Sequence, residues 1–272
     1  MNYRHSFHAG NFADLVKHAL VLWLLRARRS GGPVTVLDTH AGEGLYDLTG
    51  DATRSREAEA GVERLMAAAD RPPLIEALAE EVAALNPAGG VRFYPGSPVL
   101  IARALRPDDA YVGFELREEV AGLLRESLSG FATARGEIGD GYDLVRAEAK
   151  QARGSLVLID PPFERPDDYL RAAETAGAIV AADPEAVVAI WTPLKDMETF
   201  DGFLRRLAAA TRAATLVAEA RLRPLTNPMK MNGCAMVVVN PPAGADAAAG
   251  EICGWVAHAL GEAGSKAEVW RA

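Results

Sequence analysis

Asp160-Pro161-Pro162-Phe163 follows directly on the apolar run Leu156-Val157-Leu158-Ile159. The run is short, partly β-branched and free of charge, which predicts a strand buried on both faces. The two prolines fix φ and remove two backbone donors, so neither strand nor helix continues easily through them. A stiff turn at the end of a strand then presents a carboxylate, free carbonyls and a flat ring. Carboxylate and carbonyl accept from an amine while the ring stacks, so the turn suits a planar, amine-bearing base. From the tetrapeptide alone, a strand-ending turn whose Asp caps a neighbouring group is an equal reading. A second two-proline turn, Asn240-Pro241-Pro242, carries Ala243 in place of the aromatic and reads as a strand terminator.

Three more predicted strand ends carry polar residues or glycine turns: Asp38–Gly44, Glu115 and Asp140-Gly141. Ligands of doubly wound sheets bind beyond the carboxyl ends of the strands, so the convergence points to a nucleotide-type site. Gly42-Glu43-Gly44 permits close backbone approach. It lacks both the full dinucleotide fingerprint and the lysine of a phosphate loop. Glu115 stands where an acid accepts from ribose hydroxyls, or is a solvated strand terminus. It lies far beyond the usual ~20 residues after the glycine turn, an excess that an insertion explains. Asp140 is placed to accept from an adenine amine, or is a turn Asp before Gly. Ser97, at a predicted helix N-terminus, is suited to help hold a carboxylate. Four of the five histidines, His5, His8, His18 and His40, lie in the first 40 residues. They lack H-x-x-x-H spacing and the cysteines are remote, so no metal site is expected. His40, on the glycine turn, is the best-placed ligand contact of the four.

The elements that must position these groups alternate in type. A helix over about 12–29 precedes a strand at 34–38. Residues 49–90 show no strand character. Within them an Ala- and Glu-rich helix is expected at 57–69. A second, opened by Pro72-Pro73, carries Leu74, Ile75, Leu78, Val82 and Leu85 on one face. They read as a helical insertion (49–90) in a domain formed by 1–48 and 91–272. Ser97-Pro98 reads as an N-cap with proline at the first helical position, opening helix 98–105. Strand 111–115, helix 118–127, a weak strand at 134–138 and strand 155–159 follow. Then come helix 167–182, strand 186–191, helix 196–210 and strands 214–221 and 234–239. Ala243–Gly250 reads as a small-residue loop. The order predicts an α/β fold with a mainly parallel sheet of seven strands and an antiparallel last strand.

Of 272 residues, 49% are hydrophobic and 7% aromatic, the balance of an ordinary globular protein. Cys234 and Cys253 sit in apolar surroundings and suit a reducing cytoplasm. The apolar stretch 19–25 is too short to span a bilayer and reads as part of a buried helix. The net charge of −8 argues against a generally sticky nucleic-acid binder. The distribution still allows a local basic face: Arg4, Lys17, Arg26, Arg28 and Arg29 oppose Asp14 alone in 1–30. A second basic excess in 195–232 includes Arg205, Arg206, Arg212, Arg221, Arg223 and Lys230. A mixed solvated surface is an equal reading.

Four segments, taken in order, resemble the RlmJ family: Tyr3-Arg4-His5-Ser6-Phe7-His8-Ala9-Gly10-Asn11, Leu37-Asp38-Thr39-His40-Ala41-Gly42, Tyr94-Pro95-Gly96-Ser97-Pro98 and Ile159-Asp160-Pro161-Pro162. These are bacterial 23S ribosomal RNA methyltransferases of the (adenine(2030)-N(6)) type. The resemblance runs over nearly the whole chain, and the N-terminal segment is its most specific part. It implies a Rossmann-like fold that uses S-adenosyl-L-methionine, with a small helical subdomain inserted after the first strand. It also implies that His18, His40, Ser97, Glu115, Asp140, Gly141 and Asp160 line the cofactor site and that Asp160 is the catalytic acceptor. Tyr3 and Arg4 would contact the RNA or its target adenine, with Pro161 and Phe163 beside them. Two departures stand out. Phe163 replaces a usual Tyr, and Thr192, in Trp191-Thr192-Pro193, replaces a usual aromatic.

The mechanism this implies is direct methyl transfer to an adenine extruded from its stack. The base lies against Phe163, and Asp160 and the Pro161 carbonyl accept from N6–H. The RNA is expected protein-free or in an early assembly intermediate, and the enzyme a cytoplasmic monomer. Phosphate contacts are expected from the N-terminal basic segment, Arg4 and Lys17 included, and from 205–230. A DNA adenine, small-molecule or protein methyltransferase of the same fold, and a catalytically silent RNA-binding protein, remain alternatives. A nicotinamide-dependent enzyme fits less well because the glycine fingerprint is incomplete.

Overall fold

Leu156–Ile159 is buried at every position, as a strand covered on both faces must be. It lies inside an eight-stranded sheet in a computed structural model that describes residues 8–49, 56–227 and 231–272. The strands are β1 (Thr35–Asp38), β4 (Ala110–Glu115), β5 (Ala134–Ile138), β6 (Leu156–Ile159), β7 (Val187–Leu194), β8 (Thr215–Arg221), β9 (Gly233–Val239) and β10 (Lys266–Arg271). Two short strands, β2 (Leu45–Asp47) and β3 (Phe93–Pro95), pair separately on either side of the inserted stretch. The main sheet has the order β10-β8-β9-β7-β6-β1-β4-β5. The five strands β7, β6, β1, β4 and β5 are parallel. Strand β9 is antiparallel to both β7 and β8, and β10 is antiparallel to β8.

The expected seven strands are thus eight. Lys266–Arg271 is a polar, half-exposed edge strand, so it carries little of the apolar signal that marks the others. Two helices also escape a periodicity reading. α6 (Gly141–Ala149) starts directly after Asp140, which caps it by accepting from the Tyr142 amide. α9 (Ala245–Leu260) covers the stretch expected to be a loop. Its first turns are alanine, a strong helix former without an apolar stripe. Ile252, Val256 and Leu260 then supply the buried face.

Helices cover both faces. α1 (Phe12–Arg28), α3 (Pro73–Leu85), α4 (Ser97–Ala104), α5 (Glu118–Leu128) and α9 pack on the face presented by Val36, Leu156, Leu158 and Ala189. α6, α7 (Asp168–Ala182) and α8 (Met197–Ala210) pack on the face presented by Leu37, Val157, Ile159 and Ile190. In the inserted stretch, a π-helical turn at Glu59–Glu63 runs into α2 (Arg64–Ala67). Val62, Leu65, Ile75 and Leu78 share a core with α1. The Val62 amide donates to the Gly10 carbonyl at 2.8 Å, which docks this stretch on the segment leading into α1. Among the described residues, no helix is long and apolar enough to cross a membrane.

Candidate active site

The carboxyl ends of β1, β4, β5, β6 and β7 open into a cleft of about 1070 Å³. His18, His40, Ser97, Glu115, Asp140, Gly141, Asp160, Pro161 and Phe163 all line it. Parallel strands make this possible, because they deliver the ends of separate sequence segments to one edge. Tyr3 and Arg4 lie outside the described residues, as does Lys230.

Asp160 is the residue after β6, and its side chain is 13% exposed. The Lys17 ammonium, from α1, donates to Asp160 Oδ2 at 2.6 Å. The same ammonium lies 2.8 Å from Asp14 Oδ1, and Asp14 Oδ2 accepts from the Gly10 amide at 3.0 Å. Burial alone would depress the Lys17 ammonium. The two carboxylates more than offset it and hold it well above the usual lysine range. Lys17 is therefore not the phosphate contact expected from the basic N-terminal segment; it is buried and engaged by two acids. Within the second basic stretch, Arg221 is engaged by Glu219 and Arg223 by Glu262.

Asp38 ends β1 and is fully buried. Its Oδ2 accepts from the Ser97 hydroxyl at 2.7 Å and the Tyr111 hydroxyl at 3.1 Å, and its Oδ1 from the His40 amide at 3.3 Å. Burial pushes the Asp38 carboxyl up to about 6, against the pull of Ser97 and with the help of nearby Asp160. Ser97 is not the N-cap. Gly96 takes that place, and the Ser97 hydroxyl turns inward to Asp38. The turn after β1 is tied to both neighbouring strands, with Thr39 N–H donating to the Leu158 carbonyl and Ala41 N–H to the Phe114 carbonyl. Gly42, at φ +70°, donates to Glu115 Oε1 at 2.8 Å. The glycine turn and the acid at the end of β4 are thus one unit.

Asp140 is gripped by Arg171 of α7 through two hydrogen bonds, 3.0 and 2.9 Å. Burial opposes its charged form, but the Arg171 guanidinium and the Tyr142 amide hold its carboxyl below the usual range. Arg171 also lies over the Tyr142 ring at 4.4 Å. His40 meets that ring edge-on at 4.8 Å, and burial pushes its imidazole down to about 4, so it is neutral at pH 7. Gly141 has a packing reason of its own, since a Cβ there would fall 1.8 Å from the Thr39 carbonyl oxygen. His18 Nδ1 and the Tyr94 hydroxyl share a hydrogen bond of 2.7 Å. At the rim, Glu57 bonds both His8 (2.8 Å) and Asn11 (2.9 Å).

Phe163 sits at φ +51°, a left-handed conformation uncommon for a bulky residue. Its ring is 9% exposed and packs on Tyr169 at 4.4 Å and Trp191 at 6.0 Å. Thr192 is fully buried and does not line the cleft; Trp191 does. The other two-proline turn lies at the opposite edge of the sheet, because β9 runs against β7 and Val239 pairs with Val188. Asn240 there donates to the Pro184 and Ala186 carbonyls, a terminator as expected.

Four cleft-associated residues escape sequence reasoning: Asp38 as a hydrogen-bond hub, Lys17 as the partner of Asp160, Arg171 and Trp191. Asp38 and Trp191 had a usable signal, since each ends or nearly ends an apolar run. Lys17 and Arg171 lie on helices whose partners only packing reveals.

The profile of the family described as ribosomal RNA large subunit methyltransferase D, RlmJ, matches residues 31–272. Ribosomal RNA large subunit methyltransferase J of Escherichia coli (strain K12) is 31% identical over 268 residues, 97% of this chain and 96% of that protein. The protein of the same name from Haemophilus influenzae is 33% identical over 249 residues, 89% of this chain and 88% of that one. A crystal structure of a Legionella pneumophila protein superposes with a TM-score of 0.85 at 23% identity, covering 97% of this chain and 98% of that one. That likeness bears on the fold.

Proposed function

Because the chain belongs to the RlmJ family of ribosomal RNA large subunit methyltransferases, we propose that it methylates the exocyclic N6 amine of an adenine in 23S ribosomal RNA, of the adenine-2030 type, with Asp160 as acceptor. The enzyme is an S-adenosyl-L-methionine-dependent ribosomal RNA methyltransferase. The observation that carries the finer reading is Asp160, an acid at the floor of the cleft whose outer oxygen is held by Lys17.

The cleft residues fit this cofactor. Gly42 and Glu115 form a glycine turn backed by an acid, which suits the ribose. Asp140 and Gly141 suit the adenine end, with Arg171 fixing the carboxylate. His18, His40 and Ser97 complete the lining. When bound, the cofactor supplies an electrophilic methyl group. The volume of about 1070 Å³ stands at the top of the roughly 300–1,000 Å³ range of ligand clefts and leaves room for a base beside the cofactor.

The chain's own contribution is positioning. Asp160 and the Pro161 carbonyl accept from the two N6–H groups, which directs the nitrogen lone pair away from them. Lys17, anchored to Asp14, keeps Asp160 from rotating. The proton leaving N6 as the N–C bond forms passes to Asp160. An amine needs no covalent enzyme nucleophile, and the buried Cys234 and Cys253 take no part.

A base must leave its stack to enter this cleft, which favours protein-free RNA or an early assembly intermediate as substrate. The protein is proposed to act as a cytoplasmic monomer. Residues 49–90 act as an inserted unit in a domain of 1–48 and 91–272, and Tyr3 and Arg4 of the N-terminal segment meet the RNA. The test is Asp160→Ala, assayed on deproteinised 23S RNA with mass spectrometry of the nucleosides. Loss of N6-methyladenosine with intact folding and cofactor binding supports the assignment. Retained methylation sinks it.

A further inference from the structure

We propose that Trp191, not Phe163, is the aromatic against which the target base stacks. This rests on the reading of the cleft as an adenine-N6 methyltransferase site. Strands β6 and β7 are parallel neighbours, with Ile159 opposite Ile190. Continued one residue past that last pair, the same register sets Asp160 beside Trp191. Side chains alternate along a strand, so Asp160 shares the face of Leu158 and Trp191 the face of Ala189. Leu158 and Ala189 belong to one core cluster, on the α1 side of the sheet, and Lys17 of α1 reaches Asp160 there. Trp191 therefore projects on the same side as the acceptor carboxylate and lines the same cleft.

Phe163 is placed differently. It is 9% exposed, and Tyr169 lies 4.4 Å from it, ring centre to ring centre. Its other neighbour is Trp191, at 6.0 Å and a 50° tilt. Phe163 thus behaves as a buttress that sets the indole, while the half-buried indole lines the cleft with its back to the core. Indole also has the larger face, and stacking on a base is tolerant of sequence. The absence of an aromatic at position 192 costs the site nothing, because that side chain points to the opposite face of β7, where it is fully buried.

The test compares Trp191→Ala, Trp191→Phe and Phe163→Leu on deproteinised 23S RNA, with S-adenosylmethionine affinity measured by calorimetry. Trp191→Ala should lower kcat/KM for RNA by about ten- to a hundredfold and leave cofactor affinity within twofold. Trp191→Phe should restore most of the loss, and Phe163→Leu should have the smaller effect. Should Trp191→Ala misfold, a second measurement decides. A Trp23→Phe, Trp255→Phe, Trp270→Phe variant keeps Trp191 as the sole indole. Its fluorescence should be quenched on adding 23S RNA. Unquenched fluorescence, or a Trp191→Ala enzyme as efficient as wild type, overturns the proposal. If the wild-type product is not N6-methyladenosine, the underlying reading fails instead, and nucleoside mass spectrometry separates the two failures.

Discussion

Lys17 and Asp160 lie 143 positions apart in the chain and 2.6 Å apart in the cleft. The contact joins the second turn of α1 to the end of the central strand. One buried ammonium, shared with Asp14, ties the Asp160 carboxylate to α1.

Lys17→Met should therefore cost more than a surface ion pair. Removing one partner of a buried pair destabilises by about 3–5 kcal/mol, because the other charge is left uncompensated. Urea unfolding of Lys17→Met, Asp160→Asn and the double variant forms the cycle. The double variant should be less destabilised than the sum of the singles. Strict additivity would show that the two side chains do not interact. The Lys17 variant should also lose kcat while keeping cofactor affinity.

Asp38 and His40 should give opposing pH dependences of stability. The Asp38 carboxyl is raised from 3.8 to about 6. Between those values the folded protein holds a proton that the unfolded chain has lost. Its contribution is thus full below about pH 4 and lost as pH rises to 6. His40 is lowered from 6.5 to about 4. There the unfolded chain binds the proton first, so stability is lost as pH falls through that window. Each shift corresponds to about 3 kcal/mol, so the two nearly cancel in the wild type. Relative to wild type, Asp38→Asn should lose stability more steeply between pH 6.5 and 4, and His40→Gln less steeply. Urea unfolding at pH 4.5, 5.5 and 7 checks both. Parallel pH profiles for all three proteins would contradict the assignment.

Gly42→Ala should weaken both fold and cofactor binding. The residue has φ +70°, and an added Cβ would stand 2.2 Å from the Tyr46 hydroxyl. The left-handed backbone alone costs about 1–2 kcal/mol for a residue with a Cβ. Removing the obstruction in Gly42→Ala/Tyr46→Phe should recover part of the loss but not all, since the backbone cost remains. It also removes the acceptor of the Glu43 amide. Thermal melts and titration with S-adenosylmethionine measure the recovery. No recovery at all would mean that the clash is not with Tyr46.

Much of the site was legible because each acid stands at the end of an expected strand, an apolar run for Asp160 and Glu115 and a weak one for Asp140. Asp160, Glu115 and Asp140 were found that way, and parallel β-α order predicts that such ends meet. The edge strand β10 and the alanine-rich start of α9 were not legible, since neither carries a periodic apolar signal. Basic residues misled for a related reason. Composition places Lys17 among surface cations, and only the packing of α1 across the end of β6 shows it buried between two acids.

The sequence by itself determined seven of the eight strands of the main sheet, the turns that end the parallel ones, the acids those turns present and the family to which the chain belongs. These are local properties, set by apolar runs, prolines and glycines a few residues apart. Tertiary structure alone decided which cation holds Asp160, that Asp140 is gripped by Arg171, and that Trp191 rather than Thr192 faces the cleft. Each of these depends on strand register or on helix-to-sheet packing between distant segments. A one-residue difference in register exchanges the faces of a strand, and no local pattern records it.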